Sequence, residues 1–225
     1  MRPRKICFLF VFWLCLTIGI VFLSSDLKYT VKAAPLASTV TVCASGCDST
    51  SIQSAIDGAT DGDTIQLSAE IYTEPININK SITIQGMGDD QTIIQAATSP
   101  DTATTRVIAI QSGATVTITG VTIRYGKASG AYGGGIYAFN SNVSIINSTI
   151  DYNNANNGGG IYLGDIMCKK PNNLVITDST ISNNTATFGG GIFLTCPTSI
   201  ITITNCTISG NSATGIDTSY GGGIA

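Results

Sequence analysis

The segment Val116-Thr-Ile-Thr-Gly-Val-Thr-Ile123 decides the fold, because three later segments align with it without gaps. The copies are Val143-Ser-Ile-Ile-Asn-Ser-Thr-Ile150, Leu174-Val-Ile-Thr-Asp-Ser-Thr-Ile181 and Ile201-Thr-Ile-Thr-Asn-Cys-Thr-Ile208. Between them a Gly-Gly-Gly-Ile motif recurs, starting at 133, 158, 189 and 221. Self-similarity at a period of about 20 to 50 residues is typical of stacked repeats. The copies are 27 to 31 residues apart, which predicts one coil of a solenoid per repeat.

The middle of each copy holds a residue that tolerates a left-handed backbone, namely Gly120, Asn147, Asp178 and Asn205. A sharp bend there would separate two short strands and place equivalent residues above one another. One column would contain Ile136, Ile161, Ile192 and Ile224, and another Ile123, Ile150, Ile181 and Ile208. Burial of one such isoleucine contributes about 1.5 to 3 kcal/mol. The pattern predicts an all-β fold, a single-stranded right-handed parallel β-helix over residues 63–225.

A short amphipathic helix is predicted before the coils, over residues 48–62. Its apolar face would carry Ile52, Ala55, Ile56 and Ala59. Thr50 and Gln53 match a capping box, and Gly58 and Gly62 mark the exit. We expect this helix to cap the first coil, since an uncovered coil would expose a strand edge and an open apolar interior. No further helix is predicted.

The first 33 residues have the pattern of a signal peptide. Arg2, Arg4 and Lys5 precede an apolar run over residues 6–23, and small residues follow. Cleavage is predicted between Ala33 and Ala34, with a site after Ala37 as the second choice. The run approaches the length that spans a bilayer, so an uncleaved anchor is the alternative. Either reading predicts a secreted or cell-surface protein, with the outer membrane as one location.

The exported part is acidic. Beyond residue 33 it has six Lys and Arg against thirteen Asp and Glu, a formal charge of −7, and the chain contains no His. Without a clustered basic surface, nucleic acid is excluded as a partner, and pectate-like polyanions would be repelled. The sequence stops inside a repeat, within 221–225, so we expect the array to continue. Membrane contact is expected only through the N-terminal segment or that continuation.

Five cysteines lie beyond the signal segment, where an oxidising environment favours pairing. Cys43 and Cys47, in the N-terminal segment 34–47, are predicted to close a tight loop around a glycine. Cys168 and Cys196 fall in the same loop of consecutive coils, so stacking would bring their Cα atoms within disulfide range. Cys206 takes the place of a serine in the repeat and is predicted to stay unpaired.

Several segments resemble the opening of the pectin-lyase-like superfamily: Ser51-Ile-Gln-Ser-Ala-Ile-Asp57, Gly62-Asp-Thr-Ile-Gln-Leu67, Tyr72-Thr-Glu-Pro-Ile76 and Ser81-Ile-Thr-Ile-Gln-Gly-Met-Gly88. The Gly-Gly-Gly-Ile coils resemble the repeats of bacterial surface β-helix proteins, including polymorphic outer-membrane proteins and autotransporter-like adhesins. The resemblance covers nearly all of the chain after residue 40. It implies the fold and leaves the function open, because this scaffold carries lyases, hydrolases, esterases and adhesins.

No catalytic constellation is found in the sequence. The enzymes of this superfamily work with clustered carboxylates and basic residues, whereas residues 102–225 contain four scattered aspartates: Asp151, Asp165, Asp178 and Asp217. The pairs at 61/63 and 89/90 resemble calcium ligands but are common turn formers. We therefore predict no catalytic residue, no metal site and no cofactor.

Aromatic residues follow the Gly-rich motif in successive coils, where Tyr137, Tyr162 and Phe193 align. They are interpreted either as a sugar-stacking face or as a ladder that only packs. The sequence favours a non-enzymatic scaffold that contacts carbohydrate or another cell-surface ligand. The alternatives are a polysaccharide lyase or glycoside hydrolase with its catalytic coils outside this segment, and a pure spacer.

Overall fold

A computed structural model describes residues 36–165, 168, 171–215 and 221–225. Within them the chain forms a parallel right-handed β-solenoid of about six turns with one short helix, which confirms the predicted fold class. Equivalent strands of successive turns are parallel hydrogen-bonded neighbours. The predicted signal peptide, its cleavage site at Ala33 and Ala34, and the alternative anchor lie outside the described residues.

Four sheets run along the solenoid, named here in the order in which a turn passes through them. The first sheet contains β1 (Thr39–Val42), β2 (Thr64–Leu67), β5 (Thr83–Gln85), β8 (Thr115–Thr119), β12 (Asn142–Ile146), β16 (Asn173–Thr177) and β20 (Ile200–Thr204). The second contains β3 (Ile71–Thr73), β6 (Ile93–Gln95), β9 (Thr122–Arg124), β13 (Thr149–Asp151), β17 (Thr180–Ser182) and β21 (Thr207–Ser209). The third contains β10 (Lys127–Tyr132), β14 (Asn154–Asn157), β18 (Thr185–Phe188) and β22 (Ser212–Ala213). The fourth contains β4 (Ile76–Ile78), β7 (Ile108–Ile110), β11 (Ile136–Phe139), β15 (Ile161–Gly164) and β19 (Ile192–Leu194).

The core consists of columns of branched side chains that cross the turns in register. In the first sheet the column runs through Val40, Ile65, Ile84, Ile118, Ile145, Ile176 and Ile203. Both isoleucine columns expected from the repeats are present, one in the second sheet and one in the fourth. Because a turn buries its column only against its neighbours, stability depends on contacts between adjacent turns.

The helix α1 covers Ile52–Gly58 and packs against β1, β2 and β4. The expected capping box is wrong, since the N-cap is Ser51, whose hydroxyl accepts a hydrogen bond from the Ser54 N–H. Glu74 of a neighbouring turn takes over the role given to Thr50, accepting the Ile52 N–H at 2.8 Å. At the other end the Lys80 ammonium donates to three carbonyl oxygens of the last helical turn. A 3-10 turn over Pro100–Thr102 is a further helical element that was not expected.

The third sheet is not among the strands predicted from the repeats, because its segments lack the branched residues that mark the other strands. A ladder of asparagines precedes it, in which Asn153 and Asn184 are buried and Asn211, in the next turn, is half-buried. The Asn184 amide donates to the Ile150 carbonyl and to the Asn211 side chain, while its oxygen accepts from both the backbone and the amide of Asn153. These bonds satisfy backbone groups at the corner that a hydrophobic ladder would leave unpaired.

The Gly-Gly-Gly motif is required by the close approach of adjacent turns. A Cβ atom on Gly159 would lie 2.5 Å from the carbonyl oxygens of Gly190 and Thr185. The motif therefore marks the place where the backbones of the third and fourth sheets meet with no room for a side chain.

Candidate functional site

The predicted aromatic residues form a ladder on the outer face of the fourth sheet. Tyr137, Tyr162 and Phe193 are in register on β11, β15 and β19, and their rings stack with centroid distances of 5.5 and 6.1 Å. Tyr132 stacks on Tyr162 as well, at 4.7 Å. The ring of Tyr162 is thus covered by neighbours, and the residue is only 7% exposed. A sugar ring cannot lie flat on Tyr162, so the middle of the ladder packs.

One end of the ladder is different, because a guanidinium group covers it. The Arg106 Cζ atom lies 4.4 Å from the centroid of the Tyr137 ring. Its Nη1 atom is buried and has no hydrogen-bond partner among the described residues. Burial lowers the pKa of Arg106, and burial likewise raises the pKa of the Tyr137 hydroxyl. Among the described residues, this one nitrogen of the guanidinium therefore lacks the acceptor that a buried donor ordinarily has.

A pocket of about 300 Å³ opens beside this arginine. It is lined by Pro75, Ile76, Asn77, Thr105, Arg106, Ala109, Gln111, Tyr132 and Tyr137. The described residues of the lining combine two phenol rings with two side-chain amides and include no acidic residue. Arg106 is the single charged residue among them, which makes the pocket suited to an anionic group.

Sequence reasoning also missed a second sharp bend in each repeat, at the corner between the second and third sheets. Tyr125, Tyr152, Asn183 and Gly210 have left-handed φ values of 57°, 51°, 55° and 63°. Each lies five residues after one of the predicted bend positions, whose own φ values are 66°, 45°, 51° and 52°. The same alignment that located the first bend therefore contained the second. For a bulky residue such a conformation costs about 1 to 3 kcal/mol, which is characteristic of functional positions.

The outer row of the second sheet brings Gln95, Arg124 and Asp151 together on consecutive turns. The Arg124 Nε donates to the Gln95 Oε1 at 3.0 Å, and its guanidinium lies over the Tyr125 ring. Burial raises the pKa of Asp151, an effect that the charge of Arg124 partly offsets. The Asp151 Oδ1 atom is buried without a hydrogen-bond partner among the described residues. Sequence reasoning missed this cluster because its members are 27 or more residues apart.

Aspartates of the turns considered as calcium ligands accept hydrogen bonds from N–H groups and hydroxyls of the chain. The Asp63 carboxylate accepts hydrogen bonds from the N–H groups and hydroxyls of Ser38 and Thr60, which lower its pKa to about 2. Asp61 accepts the Ser81 N–H, and Asp89 accepts the Thr149 hydroxyl. In the described ranges no group of three or more His, Cys, Asp or Glu residues could hold a metal ion.

The five cysteines in the described part of the chain form two bridges and leave one free thiol. Cys43 bonds to Cys47 and Cys168 bonds to Cys196, with Cα separations of 5.7 and 5.3 Å. Cys206 is free, and its Sγ donates to the Thr204 carbonyl. The serine hydroxyls at the equivalent positions of the two preceding turns make the same bond to the backbone, at 2.7 Å.

Residues 79–225 match the family model described as the right handed beta helix region. The comparison with curated proteins finds no match. Among solved structures, pectin methylesterase from carrot superposes with a TM-score of 0.54 at 17% identity, over 79% of this chain and 55% of that chain. The chain thus spans little more than half of the carrot protein, and at this identity the likeness concerns the fold. Among the described residues no helix is long and apolar enough to cross a membrane.

Proposed function

Because the chain belongs to the right-handed β-helix family, we propose that it is an exported, non-catalytic scaffold that binds a saccharide bearing an isolated anionic group. The site is the Arg106 pocket, defined as the cavity between Arg106, Tyr132 and Tyr137. One observation carries the proposal: Arg106 is the one charged residue among the described residues that line the pocket, and no acidic side chain there balances it. The ligand supplies the missing negative charge.

The lining also supports a sugar rather than a bare anion. Tyr132 is 43% exposed and offers a ring edge and a hydroxyl, and the amides of Asn77 and Gln111 can donate to and accept from sugar hydroxyls. The formal charge of −7 opposes a polyanion at long range but is screened beyond about 8 Å at physiological salt. The ligand is therefore a mostly neutral glycan with single acidic units, as expected for adhesion to a cell-surface polymer.

The test uses an oligosaccharide with one uronic acid and the same molecule with its carboxyl group reduced to an alcohol. We expect the wild-type protein to bind the acid form and Arg106→Gln to weaken that binding at least about tenfold, the loss of a charge-assisted hydrogen bond. Arg124→Gln, which removes the other guanidinium of the exported part, should leave the affinity unchanged. Isothermal titration calorimetry measures all three proteins. Equal binding of the reduced ligand, or of Arg106→Gln, would refute the site, and no binding at all would favour a spacer.

A polysaccharide lyase or glycoside hydrolase is the second candidate, supported by the Asp151 cluster. A carboxyl group with a raised pKa can act as a general acid, and Arg124 lies beside it. Glycosidic hydrolysis ordinarily needs two carboxyl groups, whereas this row of the second sheet contains one. Incubation with pectate and neutral glycans tests the activity. New reducing ends or unsaturated products that disappear in Asp151→Asn would establish catalysis, and their absence counts against it.

A further inference from the structure

The corner formed by Tyr125 and Tyr152 places aromatic rings where the backbone favours other residue types. Asn183 and Gly210 occupy the same corner in the next two turns, and both residue types adopt a left-handed φ at low cost. Tyr152 is 49% exposed and makes a tilted contact with Tyr125 at 6.2 Å. About half of the Tyr152 surface is therefore left for solvent. A strained backbone that presents an exposed ring indicates a binding role for that ring.

A row of polar side chains lies next to this ring on the outer face of the third sheet. Lys127, Asn154, Thr185 and Ser212 are in register on β10, β14, β18 and β22. The Asn154 and Thr185 backbones are bonded to the preceding turn, through the carbonyls of Gly126 and Asn153. Their side chains point outward and can donate and accept hydrogen bonds at a spacing of about 4.8 Å along the solenoid.

The ring and the row enclose a pocket of about 210 Å³. Its lining comprises Pro100, Asp101, Lys127, Tyr152, Asn153, Asn154, Asn183 and Thr185. One acidic and one basic residue balance each other in formal charge, in contrast to the Arg106 pocket, and the remaining polar groups are amides and a hydroxyl. Such a lining is matched to an uncharged ligand with many hydroxyl groups.

We propose that this corner is a second saccharide-binding site, which takes an uncharged sugar unit against the Tyr152 ring. The sugar hydroxyls bond to the side chains of Asn154, Asn183 and Thr185, and the glycan continues along the polar row from one turn to the next. The two pockets have no residue in common, so binding at this corner does not depend on the Arg106 pocket.

Tyr152→Asn is the decisive variant, because asparagine removes the ring and suits the backbone better. We expect wild-type protein to bind at least one member of a panel of short cello-, manno-, xylo- and galacto-oligosaccharides. Tyr152→Asn should lose about tenfold in affinity or more, as removal of a stacked ring does, while its melting temperature stays equal or rises. Asn154→Ala should also weaken binding, and Asn156→Ala, which changes an asparagine of β14 outside the pocket, should not.

Calorimetry gives the affinities and differential scanning fluorimetry the melting temperatures. Arg106→Gln should bind the uncharged panel like wild type, which separates this site from the anionic one. If no uncharged oligosaccharide binds wild type, or if Tyr152→Asn and Asn154→Ala bind normally, the proposal is overturned. A lower melting temperature in Tyr152→Asn together with unchanged binding in Asn154→Ala would assign the ring to packing and would also overturn it.

Discussion

Asp63 and Asp151 show how two identical side chains acquire opposite properties from their surroundings. Asp63 collects hydrogen bonds from two N–H groups and two hydroxyls, which favour its charged form and lower its pKa to about 2. Asp151 is partly desolvated, which favours its neutral form and raises its pKa. Asp63 therefore stabilises the fold when it is charged, whereas the charge on Asp151 opposes folding.

The pKa values of the two aspartates are shifted in opposite directions. We therefore expect amide substitution at the two positions to change the pH dependence of stability in opposite ways. The contribution of Asp63 is complete above its unfolded pKa, near 3.8, and is lost as the pH falls towards 2, so Asp63→Asn should be less stable than wild type at pH 7 and approach it in acid. The charge of Asp151 penalises the folded state once the pH exceeds the unfolded pKa. Asp151→Asn should thus be more stable than wild type at pH 7, by about 1 kcal/mol or less, with no gain near pH 3.

Urea unfolding curves between pH 3 and pH 7 measure both differences. Each variant serves as the control for the other, since both convert one carboxyl group to an amide. Parallel pH profiles for the two variants would contradict the opposite environments assigned here.

At the scale of a strand, the glycine motif is explained by steric contact rather than by flexibility. Gly159→Ala would force a Cβ atom to within 2.5 Å of two carbonyl oxygens, so adjacent turns must separate. We expect the free energy of unfolding to fall by about 2 to 4 kcal/mol, as it does in severe overpacking. Gly58→Ala, at the end of α1 with no atom near the new Cβ, should be neutral or stabilising by up to about 1 kcal/mol. Thermal unfolding compares them, and equal losses would contradict the steric account.

The strands with branched residues could be predicted from the sequence, because the segments that begin at Val116, Val143, Leu174 and Ile201 repeat with the same alignment. The third sheet could not, since its strands contain Asn, Ala, Thr and Ser instead, as in Asn154–Asn157. These segments are extended because they pair with the equivalent segments of neighbouring turns, next to the asparagine ladder. For the same reason the Asp151 cluster and both pockets were not predicted: each joins residues of different turns, whose distance depends on the register between them.

Over the residues that the structure describes, the solenoid is held together by contacts between adjacent turns and by one covalent link between residues far apart in the sequence. The Cys168–Cys196 bridge closes a segment with a sequence separation of 28 and joins consecutive turns, whereas Cys43–Cys47 closes a separation of 4. A bridge stabilises chiefly by restricting the unfolded chain, and the effect grows with the size of the loop.

The loop sizes predict unequal losses when the bridges are removed. The free energy of unfolding should fall by about 3 kcal/mol in the double variant Cys168→Ser/Cys196→Ser. In Cys43→Ser/Cys47→Ser it should fall by about 2 kcal/mol or less. Equilibrium unfolding in urea without reductant measures both, and wild type with dithiothreitol provides the comparison. A larger loss for the short loop would indicate that local packing, not chain restriction, dominates the effect.

The hydrogen bonds between turns run along the solenoid axis, and this has a mechanical consequence. Tension applied between the two ends would load the bonds of one turn at a time, so the array would peel in small steps rather than rupture at once. The bridge between Cys168 and Cys196 would interrupt this sequence, because the residues that it encloses cannot lengthen while it is intact. A solenoid built in this way would unfold gradually under load, while the segment between Cys168 and Cys196 kept its length.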